Sequence, residues 1–154
     1  MPDARRFGRW IRRAVIATVA ALLCLWFGWW YGKQREYDAE YDPTRKAILA
    51  MDDKPPPGLN PSCWKAAVIW SHNAYVETFM FHEVVDLDSL HRFGAGFRER
   101  QGRGQPAELL VWIWDELERA SPRGERYVSR FRPAFQEHLD CARSPDGDPR
   151  RPER

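Results

Sequence analysis

The sequence predicts an all-α protein: a single N-terminal transmembrane helix followed by a small extracytoplasmic bundle of about four helices. Three observations predict it. Ala14 to Tyr31 (AVIATVAALLCLWFGWWY) is 18 residues without a charge. Beyond residue 60, apolar residues recur at helical rather than strand intervals. Four Asn/Ser/Asp/Gln-Pro junctions (Asp42-Pro43, Asn60-Pro61, Gln105-Pro106 and Ser121-Pro122) mark helix starts or chain punctuation. With 154 residues and 44% hydrophobic composition, the chain has room for an anchor and one small domain. Its net charge of +2 is unevenly placed. Residues 1–35 carry seven Lys/Arg and one acid, giving +6, and residues 36–154 carry 17 Lys/Arg and 21 Asp/Glu, giving −4.

The apolar run spans about 27 Å as a helix, enough for a slightly thin bilayer core. Arg5, Arg6, Arg9, Arg12 and Arg13 precede it, and only Lys33 and Arg35 follow closely. The positive-inside rule therefore puts residues 1–13, the basic N-terminus, in the cytoplasm and the body outside. Trp26, Trp29, Trp30 and Tyr31 crowd the far end, where amphipathic rings prefer the lipid–water interface. A cleaved signal peptide needs small residues at −3 and −1. Trp29-Trp30-Tyr31-Gly32-Lys33 supplies a poor cleavage site, so the segment 14–31 reads as an uncleaved transmembrane anchor.

Residues 32–59 read as a juxtamembrane helix and Pro-rich linker. Asp42-Pro43 predicts the cap and first position of a short helix to Met51, and Pro55-Pro56-Pro57 predicts a stiff polyproline II spacer. The helical domain is expected over 60–143, with a disordered tail over 144–154. Its first helix follows Asn60-Pro61, shows a wide apolar face (Trp64, Val68, Tyr75, Phe79) and should fade around His82–Val85. The second begins near Asp86 or Asp88 with the stripe Leu87, Leu90, Phe93 and Phe97. Gly94 and Gly96 weaken it or permit close helix contact. The third runs from Pro106 to Ala120. Its core LLVWIW fits a buried strand too, but Glu108, Asp115, Glu116 and Glu118 favour a helix. The fourth carries Tyr127, Phe131, Phe135 and Leu139 in i,i+4 steps, with Pro133 predicting a kink or break.

Cys63 and Cys141 flank the proposed domain. In an oxidising compartment they are natural disulfide partners, and closing that loop removes up to about 4 kcal/mol of unfolded-chain entropy. Trp112 and Trp114 lie about 200° apart around a helix. One should face the core and the other a second surface, and a protein partner is the expected occupant. Arg98, Arg100 and Arg103, beside Phe93 and Phe97, join that partner-binding set, against the plainer reading of a solvated basic face. His82, Glu83 and Asp86 place a His and an Asp four apart, as zinc sites do. A helix end followed by capping carboxylates explains them more simply, so no metal site is assigned. No cofactor is expected, and the Ser, Gly-rich and Cys motifs of common catalytic sites are missing from the sequence.

The expected function is therefore a non-enzymatic, membrane-anchored periplasmic accessory or scaffold subunit of an inner-membrane or envelope protein complex. No nucleic acid or small-molecule substrate is inferred. An immunity-type inhibitor of a toxin acting outside the cytoplasm, and a small metal-dependent hydrolase centred on His82, are the alternatives.

Overall fold

The computed structural model describes residues 4–80, 87–103 and 105–144, with side chains described from residue 10 onward. Among these residues there are five helices and no strand: α1 (Ala4–Leu49), α2 (Pro61–Phe79), α3 (Leu87–Gln101), α4 (Pro106–Ala120) and α5 (Pro122–Arg143). The chain divides into two compact units, Met1–Asp38 and Ala39–Arg154.

The first unit is helical and apolar. The stretch Trp10–Leu49 of α1 contains a window of mean hydropathy 1.8, none of it buried, and is long and apolar enough to cross a membrane. Its large side chains face outward, Leu25 and Trp10 among the most exposed. In water each exposed ring or aliphatic chain would forgo about 1.5–3 kcal/mol of burial.

The second unit begins with the last turns of α1. Pro43 does not start a new helix there; it lies inside α1. Proline removes one backbone hydrogen bond, but here it is exposed, and the turn around it is held by packing. Thr44 and Ile48 are buried, and the Tyr41 ring stacks on Tyr75 at 5.3 Å. Tertiary burial outweighs the local signal.

The Pro-rich connection is not an extended spacer. Leu59 N–H donates to Pro56 C=O at 3.2 Å, and Gly58 has φ +84°, so Pro56–Leu59 form a type II turn with Pro57 at its second position. Asn60 N–H then donates to Ala142 C=O at 2.8 Å. The Trp64 indole N–H donates to Met51 C=O at 2.8 Å, and Lys65 pairs with Asp52 at 3.2 Å. The connection is thus laid back onto the folded unit.

Asn60 caps α2 as its sequence predicts: its side-chain oxygen accepts from Ser62 N–H and Cys63 N–H. Ser121 does the same for α5, accepting from Gly124 N–H at 3.0 Å, with Pro122 at the first helical position. LLVWIW is helical, within α4. Pro133 does not break α5, which runs through it with the proline ring exposed.

Helix α2 packs against both α4 and α5, α4 packs against α5, and α3 lies against α4. α2 and α5 are antiparallel, as three contacts at seven-residue steps along α2 show. Cys63 bonds to Cys141, the Trp70 ring meets Phe131 at 5.4 Å, and Glu77 pairs with Arg123 at 2.9 Å. The core between the helices is rich in aromatic residues, with Trp64, Trp114, Tyr75, Phe79, Phe97 and Phe135 nearly or fully buried. Tyr75, Phe79 and Phe93 meet one another with ring centroids 5.1–5.4 Å apart, each pair adding about 0.5–1.5 kcal/mol beyond its buried area.

Candidate functional site

The two tryptophans of α4 occupy different environments. Trp114 is fully buried, stacked on Phe135 at 4.5 Å, with its indole N–H donated to Ser71 Oγ at 2.9 Å. Ile113, Leu110 and Leu117 share its buried side of α4. Trp112 is only half-buried. One edge of its ring rests over Gly96 of α3, where a Cβ would stand 2.8 Å from the ring. Phe93 touches it at 5.3 Å, and the Arg100 guanidinium lies 4.6 Å from a ring centroid of the indole. A cation over an indole face adds roughly 0.5–1 kcal/mol where water still reaches it. Trp112 is therefore seated among neighbours while part of its surface stays open.

The arginines expected beside it have partners of their own. Arg98 binds the Glu40 carboxylate, which also faces His91 at 3.7 Å, and Arg103 pairs with Glu99 at 3.1 Å. Arg100 is the one that reaches Trp112. The acidic residues of α4 are paired as well. Arg132 of α5 bridges Asp115 at 2.9 Å and Glu118 at 3.0 Å, and Glu116 pairs with Arg119. These pairs are partly or largely exposed, so each contributes well under about 1 kcal/mol.

A second aromatic surface was not singled out from sequence. Trp70 of α2 and Tyr127 and Phe131 of α5 are half-buried and contiguous, with Tyr127 and Phe131 4.6 Å apart. Burial, and then the nearby Glu77 carboxylate, push the Tyr127 hydroxyl above its ordinary pKa. The signal for this surface was in the i,i+4 stripe itself. Each step of four advances about 40° around a helix. Over Tyr127, Phe131, Phe135 and Leu139 the stripe rotates, so the last two enter the core and the first two fall at its margin.

Cys63 and Cys141 are joined, with Cα atoms 5.7 Å apart, within the usual disulfide range. Cys24 is free and exposed in the apolar part of α1. Trp26, Trp29, Trp30 and Tyr31 are all exposed at the end of the uncharged run, and Arg35 lies 5.6 Å over the Tyr31 ring. His82, Glu83 and Asp86 lie outside the described residues. Among the described residues no group of three or more His, Cys, Asp or Glu side chains is gathered where it could hold a metal ion. A cleft of about 430 Å³ opens between Met51, Trp64, Gln101 and Pro106, with Asp53 and Lys54 also in its lining.

Compared with known protein families, with curated proteins and with solved structures, the chain matches none of them.

Proposed function

We propose that this protein is a membrane-anchored, extracytoplasmic accessory or scaffold subunit, whose helical bundle α2–α5 holds a protein partner beside the membrane. The observation that carries the reading is Trp112. A tryptophan seated by Phe93 and Arg100 but left partly open is the kind of side chain that anchors an interface. Arg100 supplies a charge beside it, while Arg98 of α3 and Arg103 just beyond it are held in ion pairs with Glu40 and Glu99. The compartment is supported by independent features. The apolar stretch of α1 follows five arginines, which favours a cytoplasmic start. The Cys63–Cys141 bond suits an oxidising environment.

The test is a mild-detergent pull-down of the tagged full chain from membranes, with the co-purifying proteins identified. A partner that is recovered with the native chain and lost from a Trp112→Ala variant of unchanged melting temperature supports the reading. A partner captured from the soluble fraction instead favours an inhibitor of the immunity type. A C-terminal alkaline phosphatase fusion should be active, and an inactive fusion with the protein in the membrane would overturn the extracytoplasmic placement.

A further inference from the structure

The α2–α5 seam presents a surface that the partner-binding reading does not use. Trp70, Tyr127 and Phe131 form a contiguous, half-buried trio. Along α5, Arg123, Arg126 and Arg130 follow one another at three- and four-residue spacing, which places them on one face beside these rings. Arg123 is held by Glu77, while Arg126 and Arg130 are exposed and form no ion pair among the described residues. Arg130 lies 5.0 Å over the Phe131 ring.

We propose that this face docks on the headgroup layer of an anionic phospholipid bilayer, the bilayer that α1 crosses; the proposal rests on the anchor reading. Charge complementarity selects the occupant. Guanidinium groups beside aromatic rings match a plane that offers phosphates and, just beneath them, apolar chains. Trp and Tyr rings prefer that depth, and each cation near an anionic leaflet adds to the attraction. Size argues against a protein on this face. Three largely buried rings offer less than about 250 Å², against about 800 Å² per partner in a stable protein interface. A contact too weak to hold a free protein is sufficient for one already tied to the surface, because tethering makes the second contact intramolecular. Only residues 32–38 separate the end of the apolar run at Tyr31 from the folded unit that begins at Ala39.

The experiment is hydroxyl-radical footprinting of the full-length chain in lipid nanodiscs, read by mass spectrometry at single residues. One set contains phosphatidylcholine alone, and the other about one-third phosphatidylglycerol. The expected result is oxidation of Trp70, Tyr127 and Phe131 about threefold lower in the anionic discs. Trp112 should be unchanged, and the difference should disappear at high salt. An Arg126→Glu/Arg130→Glu variant should lose the protection, with Trp114 still shielded as proof of folding. Arg126→Gln/Arg130→Gln, which removes charge without reversing it, should lose it as well. Equal oxidation in the two discs, with the chain incorporated in both, overturns the docking proposal and leaves the anchor intact. A chain that fails to incorporate in either disc overturns the anchor reading and the proposal with it. Protection that appears only when a second protein is added assigns the face to that protein and overturns the lipid assignment.

Discussion

Trp114 Nε1 and Ser71 Oγ are hydrogen-bonded at 2.9 Å in the centre of the α2–α4 contact, and both residues are fully buried. The serine hydroxyl also donates to Ala67 C=O at 2.9 Å, so it accepts once and donates once. Together the two bonds let a polar ring tip sit in an apolar core. Ser71→Ala would leave the indole N–H unpaired there, at a cost of about 1–3 kcal/mol. Thermal unfolding of the full chain in detergent should shift down by several degrees. An unchanged midpoint would show that the indole finds another acceptor.

At Gly124 the α5 backbone lies close against its neighbours. A Cβ at this position would run into the Leu117 carbonyl and stand 3.0 Å from Thr78 Cγ2. Backbone does not yield as a flexible side-chain tip does. Gly124→Ala should therefore destabilise the protein, although alanine is the better helix former by about 1 kcal/mol. A rise in melting temperature would mean that α5 shifts away without loss.

The Cys63–Cys141 bond closes a loop of 78 residues in sequence separation. Reduction, or a Cys63→Ser/Cys141→Ser pair, should lower stability by about 4 kcal/mol or less. Non-reducing peptide mapping of protein from its native compartment should recover the two peptides joined. Free thiols at both positions would count against the bond and against an oxidising compartment together.

Trp112 and Trp114 should separate when each is cut to alanine. Trp114→Ala empties the space against Phe135 and should cost about 3–5 kcal/mol. Trp112→Ala removes a half-buried ring and should cost distinctly less, leaving helical content intact while weakening partner recovery. Equal losses of stability, with partner recovery unaffected by Trp112→Ala, would remove Trp112 from the interface.

Much of the helix plan was legible in residue spacing and capping. Asn60-Pro61 and Ser121-Pro122 start helices because their side-chain oxygens satisfy free N–H groups at no cost in tertiary structure. The same dipeptide logic failed at Asp42-Pro43. Thr44 and Ile48 are buried there beside the Tyr41 ring, which stacks on Tyr75, and that partner lies 34 residues away in sequence. A long-range contact of that kind leaves no local trace. The pairing of Arg132 with Asp115 and Glu118 was equally hidden, because charge runs look solvated until the helix that neutralises them is placed. The candidate surface was legible in its two tryptophans, one buried and one partly exposed. The Trp70–Tyr127–Phe131 cluster needed α2 and α5 to be brought together first.

That pairing also bears on how the protein is made. Helix α2 leaves the ribosome early, with a wide apolar face that α5, the last helix of the five described, must cover. A chain synthesised from its N-terminus exposes Trp64, Val68 and Tyr75 until nearly all of the remaining sequence has followed. Cys63 likewise waits for Cys141. The interval between the two is when wrong thiol pairing and aggregation compete with folding, and a holdase at the exit site would act on α2 above all. Shortening the chain before α5 should therefore yield an insoluble or degraded product rather than a smaller folded one.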